Sequence, residues 1–169
     1  LIFYKKKSLL QSIKFIFNPK VFFSKSATSD YKVFFINQII MLLISPHLLT
    51  QITIATALYF FFFEINFIDM GLFASTPKYI IISLFTFTHF IVDDFSKYIV
   101  HRWMHRWPFL WALHKVHHSA TNLTPMTVFR THPLEGLVFT LRSAFAQGVT
   151  ISTFVYLFGG GVDLYTILG

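Results

Sequence analysis

From Val33 to Phe63 the chain runs for thirty-one positions without a Lys, Arg, Asp or Glu, whereas a helix needs only about 20 apolar residues to cross a bilayer. That stretch predicts one long tilted span, or two shorter helices broken near Pro46. A second apolar run, Tyr79 to Val92, predicts another span, with Leu72 to Thr76 as an upstream extension across Pro77 and Lys78. Helix-compatible sequence continues through Asp93, Asp94, Lys97 and Tyr98 into His101 and His105. Pro108 ends that helix and suits the first turn of the next, which carries His114, His117 and His118. Pro133 is placed to open another. A third apolar run, Leu137 to Phe158, holds Arg142 near its start and yields to Gly159-Gly160-Gly161; it reads as membrane-embedded, with a hairpin as one arrangement.

Composition fits the pattern: 54% of the 169 residues are hydrophobic and 12% charged, an apolar share above the roughly 45–50% of soluble domains. Seven of the fourteen basic residues (Lys5, Lys6, Lys7, Lys14, Lys20, Lys25 and Lys32) lie in the first thirty-two positions, opposed there only by Asp30. The bias of basic residues towards the cytoplasmic side places this segment in the cytoplasm. Leu9, Leu10, Ile13, Ile16 and Phe17 recur at helical spacing, which predicts an amphipathic helix on anionic lipid rather than a nucleic-acid contact. Two crossings between Val33 and Val92 then return the chain to the cytoplasm just before the histidines. The expected organisation is all-α, an integral membrane helical bundle: a basic cytoplasmic segment over 1–32, transmembrane helices over 33–92, a cytoplasmic histidine-rich region over 93–136 and a further membrane-embedded segment over 137–169. Cysteine is absent, which excludes disulfides and thiolate metal sites. A bacterial inner membrane is the favoured location, with the endoplasmic reticulum second.

Five histidines fall within eighteen residues, as His101-x-x-x-His105 and His114-x-x-His117-His118. Spacings of three and four bring side chains onto one helical face, so two short helices meeting at an angle can aim all five imidazoles into one volume. His117 and His118, adjacent on a helix, project about 100° apart and can serve two different metals. Imidazole ligation suits Fe, Zn, Cu or Ni rather than Mg or Ca. Asp94, two turns before His101, is a candidate acceptor for the second ring N–H of a ligand histidine, with Asp93 the lesser candidate. His132 is a candidate ligand or supporting donor. His47 and His89 read as packed membrane residues, and Trp103, Trp107 and Trp111 as anchors at the headgroup level.

The series Asp94-Phe95-x-x-Tyr98-x-x-His101-Arg102-x-x-His105-Arg106-x-Pro108-x-Leu110-Trp111-x-x-His114-x-Val116-His117-His118-Ser119, with Arg130-x-His132-Pro133-Leu134-Glu135 downstream, resembles the fatty acid hydroxylase superfamily, also called the sterol desaturase family. The likeness covers Asp93 to Gly136. It implies a helical-bundle membrane oxygenase with two Fe held by histidines, O2 as co-substrate, and a sterol, fatty acyl or related lipid as substrate for hydroxylation or desaturation. It further implies His101, His105, His114, His117 and His118 as metal ligands. Electrons come from a partner such as a ferredoxin or a cytochrome b5-type protein, because the chain carries no flavin, nicotinamide or haem-attachment motif.

One departure stands out. The family carries a further histidine group, ending in another His-x-x-His-His, that this sequence lacks, and the chain begins at Leu1. The expectation is a fragment lacking both ends, too poor in histidine to complete two iron shells and inactive alone. The competing readings are a metal-binding scaffold or pseudo-enzyme, a zinc hydrolase, disfavoured because His-Glu-x-x-His is missing, and a haem carrier built on His47 and His89.

Overall fold

In the computed structural model, residues 13, 18–44, 50–65 and 68–163 are described, and among these no strand occurs. The expected amphipathic helix over Leu9 to Phe17, the break at Pro46 and His47 all lie in whole or in part outside the described residues. Asn18 caps a single turn, α1 (Pro19–Phe22), by accepting the Lys20 N–H, with Pro19 at its first position. Next come α2 (Lys25–Ile44), α3 (Gln51–Ile65), α4 (Lys78–Arg106), α5 (Pro108–His118), a 3-10 turn (Pro125–Phe129) and α6 (Pro133–Phe158). By length and composition α2 and α4 suffice to cross a membrane, and α3 is a shorter apolar helix.

Proline sets several of these boundaries, because it lacks an N–H and fixes φ for a first turn. It opens α5 at Pro108, the 3-10 turn at Pro125 and α6 at Pro133. Pro77 is the cap of α4, so Leu72 to Thr76 form turns rather than extending that helix. The third apolar run is one continuous helix, not a hairpin. It ends at Gly159, whose φ of +56° is disfavoured for residues bearing a Cβ.

α6 is the axis of the fold, with α4 antiparallel to it. Asp93 pairs with Arg142, Phe85 meets Phe154 edge-to-face at 5.3 Å, and Lys78 pairs with Asp163. As residue numbers fall along α4 they rise along α6, which fixes one register over the shared length. Ile81, Phe85, Phe154 and Phe158 form the buried core at the end remote from the histidines. Ala144, Ala146, Gly148 and Ser152 are buried along α6; small residues let neighbouring helix backbones approach closely.

α2 and α3 advance along α6 in one direction. Asn37 of α2 donates to the Thr131 carbonyl oxygen (2.8 Å) just before α6 begins, whereas Tyr59 and Phe62 of α3 lie edge-on to Tyr156 near its far end. Beyond α3, the Gly71 and Phe73 amides donate to the Tyr156 and Leu157 carbonyls, and the Tyr156 hydroxyl donates to the Ile68 carbonyl. That loop turns the chain back into α4, which returns it to the starting end with His101 and His105.

Candidate metal centre

α4 presents His101 and His105 one turn apart, and α5 presents His114 and His118 one turn apart, as i, i+4 pairs. The reversal at Trp107, extended at φ −92° and ψ 124°, folds α5 back so that the two pairs face each other. Ring centroids of His101–His105, His101–His114, His105–His114, His105–His118 and His114–His118 lie 4.7–4.9 Å apart. His117 stacks on His114 at 5.7 Å and 18°, which places it at the flank of this group of four.

The nitrogens converge as well. Nε2 of His101 is 3.1 Å from Nε2 of His105, and Nε2 of His118 is 3.1 Å from Nε2 of His114. One donor atom each from His101, His105 and His114 lies within 4.8 Å of the others. Two imidazole nitrogens each bound at about 2.1 Å to one ion at a right angle stand roughly 3 Å apart, so both pairs have the spacing of neighbouring ligands.

Burial supports the same chemistry. His114 is buried, and its Nδ1 lies 2.7 Å from Oε1 of Glu135, also buried. Because an ionised carboxylate only accepts, the imidazole nitrogen donates. Two atoms here, Oε2 of Glu135 and Nδ1 of His117, are buried with no hydrogen-bond partner. Such atoms are costly unless something else compensates them, and a bound cation among imidazoles fits the donor set. His118 is more exposed. Partial loss of water, followed by the neighbouring His114, His105 and His117, lowers its pKa from the ordinary 6.5, while Glu135 acts in the opposite direction. A lowered pKa keeps the imidazole neutral, as a ligand must be.

Asp94 is exposed on α4, and Asp93 is turned towards Arg142. Glu135, not either of these, is the carboxylate bonded to a site histidine. It was visible in the sequence as the third residue of a helix opened by Pro133, but only folding carries α6 back against α5. His132 caps α6, its Nδ1 accepting the Leu134 N–H at 3.2 Å. Trp111 lies against His105 and His118 at 5.5 and 5.6 Å, while Trp103 and Trp107 stack on each other. His89 stacks on Phe85, away from the cluster.

The loop after α5 is clamped to α2. Asp30, fully buried, accepts from the Arg130 guanidinium (2.9 Å) and the Thr127 hydroxyl (2.8 Å), while Ser26 accepts from the Thr121 amide. These contacts hold the segment between α5 and α6, and therefore the approach of Glu135 to His114.

Comparison with known proteins agrees with the geometry. The fatty acid hydroxylase family model matches residues 86–168, which include all five clustered histidines and Glu135. The Delta(7)-sterol 5(6)-desaturase of Eremothecium gossypii is 34% identical over 73 residues, 43% of this chain and 20% of that protein. The Delta(7)-sterol 5(6)-desaturase ERG3 of Saccharomyces cerevisiae is 42% identical over 60 residues, 35% of this chain and 16% of that protein. The matched stretch thus spans a fifth or less of either relative. No solved structure matches the chain. Through residues 86–168, with their paired histidines on two abutting helices, the chain resembles the fatty acid hydroxylase and sterol desaturase family.

Proposed function

We propose that this chain provides part of the iron-binding centre of a membrane enzyme that oxidises C–H bonds of a lipid with O2. The observation that carries the reading is the convergence of four imidazoles from α4 and α5 at ring separations of 4.7–4.9 Å. His101, His105, His114 and His118, with His117 at the flank, would hold iron, two ions in all once donors from outside the cluster join. Bound iron supplies O2 activation, the chemistry needed to break an unactivated C–H bond. Imidazoles suit this task because they resist the oxidation to which thiolates are prone.

The names of the two relatives support a sterol as the lipid and desaturation as the outcome. The overall balance is one O2, two electrons and two protons, with two hydrogens taken from adjacent carbons, giving an alkene and two waters. The electrons come from a separate donor, a ferredoxin or a cytochrome b5-type protein. Within the chain, α4 and α5 orient the ligands, the proline at the start of α5 fixes the reversal between them, and Trp111 packs its ring against His105 and His118.

Sidedness belongs to the same reading: the cluster faces the cytoplasm. In support, Lys25 begins α2 at the end clamped to the loop after α5, so basic residues and histidines share one end of the fold.

The test measures iron content and O2-dependent sterol products for the protein carrying this chain and for its His114→Ala variant, in a yeast strain lacking its own Delta(7)-sterol 5(6)-desaturase. Loss of both iron and 5,6-unsaturated product on substitution is expected. Normal iron with retained turnover would overturn the assignment, and iron binding without O2-dependent product would favour the scaffold reading.

A further inference from the structure

Glu135 occupies the third position of α6, after Pro133 and Leu134, where the helix dipole favours an acidic side chain. It is 2% exposed, and among the described residues its one ion-pair partner is His114, itself 2% exposed. Its second oxygen is buried with no partner. A carboxylate so enclosed, with one oxygen on a single ring nitrogen and the other without a partner, lacks compensation for the water it has lost. A cation on the opposite nitrogen of that ring would supply it.

We propose that Glu135 is a positioning residue of the metal centre. By accepting the Nδ1–H of His114 it fixes the tautomer whose Nε2 lone pair faces the cluster, and its charge raises the basicity of that nitrogen. Nε2 of His114 stands 3.1 Å from Nε2 of His118 and its ring 4.7–4.8 Å from those of His101 and His105, so the fixed lone pair belongs to the set contributed by both helices. The inference rests on the metal-centre reading above. Its rival is an ordinary structural ion pair, in which His114 carries both protons and donates its second to His118. The two differ in one respect: a structural pair is indifferent to metal, whereas a positioning carboxylate changes metal affinity and the ligand field.

The experiment uses the purified chain in lipid nanodiscs with Co(II) as the probe, comparing wild type with Glu135→Gln, Glu135→Ala and His114→Ala. Affinity is read by chelator competition, the ligand field by visible absorption, and the His114 ring N–H by its paramagnetically shifted, exchangeable proton resonance, assigned through its absence in His114→Ala. Glu135→Ala is expected to weaken Co(II) binding about 10–100-fold and to expose the N–H to rapid exchange. Glu135→Gln keeps an acceptor oxygen without the charge; it is expected to restore slow exchange, recover part of the affinity and shift the absorption band. Should the alanine variant fail to fold, the near-isosteric glutamine variant decides alone: affinity and spectrum equal to wild type would overturn the proposal. Failure of the underlying metal reading has a separate signature, Co(II) binding in His114→Ala indistinguishable from wild type.

Discussion

The Asp93 carboxylate and the Arg142 guanidinium meet at 2.7 Å between α4 and α6, about two helical turns from His101 on one helix and from Glu135 on the other. Arg142 also donates to the Asp93 carbonyl and the Ser96 hydroxyl. This polar rung lies inside an otherwise apolar helix pair and sets the register that brings α6 to the histidine helices. Removing the Asp93 carboxylate leaves the largely buried Arg142 guanidinium uncompensated, so Asp93→Leu is expected to destabilise by about 2–4 kcal/mol, and Arg142→Leu, which leaves a partly exposed carboxylate, by less. The double variant should cost less than the sum. Thermal unfolding in detergent of the three variants checks this; strict additivity would show that the pair does not act as a unit.

Asp30 is fully buried and is held by Arg130 and Thr127. Asp30→Ala is expected to cost about 3–5 kcal/mol, because Arg130 loses its counter-charge, whereas Thr127→Val removes the hydrogen bond to the Asp30 carboxylate and the acceptor of the Thr124 N–H and should cost about 2–4 kcal/mol. Limited proteolysis between α5 and α6 provides the local readout. Cleavage there should accelerate in Asp30→Ala, and an unchanged pattern would mean that the α2 clamp does not order that loop.

The acid side of the stability curve follows from His118. Its folded pKa lies below the ordinary 6.5, so the unfolded chain takes up this proton first. Stability should therefore decline as pH falls below about 6.5 and stay level above it. Melting temperatures between about pH 8 and pH 5 should show that decline, shallower in His118→Gln than in wild type. A wild-type curve that rises towards pH 5 would contradict the sign.

Two glycines differ in kind. Gly71 has φ +73° in the turn before α4, although the nearest atom to an added Cβ is 3.7 Å away; Gly71→Ala should thus cost about 1–2 kcal/mol from backbone conformation alone. Gly136 lies within α6 with nothing within 4 Å of an added Cβ, and Gly136→Ala should stabilise by about 0.5–1 kcal/mol. Opposite shifts in melting temperature are the expected result. A stabilising Gly71→Ala would show that the turn does not depend on its left-handed backbone.

Sequence by itself marked the apolar runs and several helix starts, since apolar run length, proline positions and the i, i+4 histidine spacing are local properties of the chain, but it left open the turn over Leu72 to Thr76 and the single unbroken course of α6. Pro108 and Pro133 announced α5 and α6, and the two histidine pairs announced a histidine-bearing face on each of two helices. Other features depended on tertiary structure. The carboxylate beside His114 could not be chosen from spacing, because Asp94 shares a helix with His101 whereas Glu135 reaches His114 from another helix, across twenty-one residues of sequence. The partner of Asp93, the clamp of Asp30 on the loop, and the advance of α2 and α3 along α6 are likewise non-local. Each depends on which faces meet once α4 and α6 lock in antiparallel register, and no periodicity within a single segment encodes that choice.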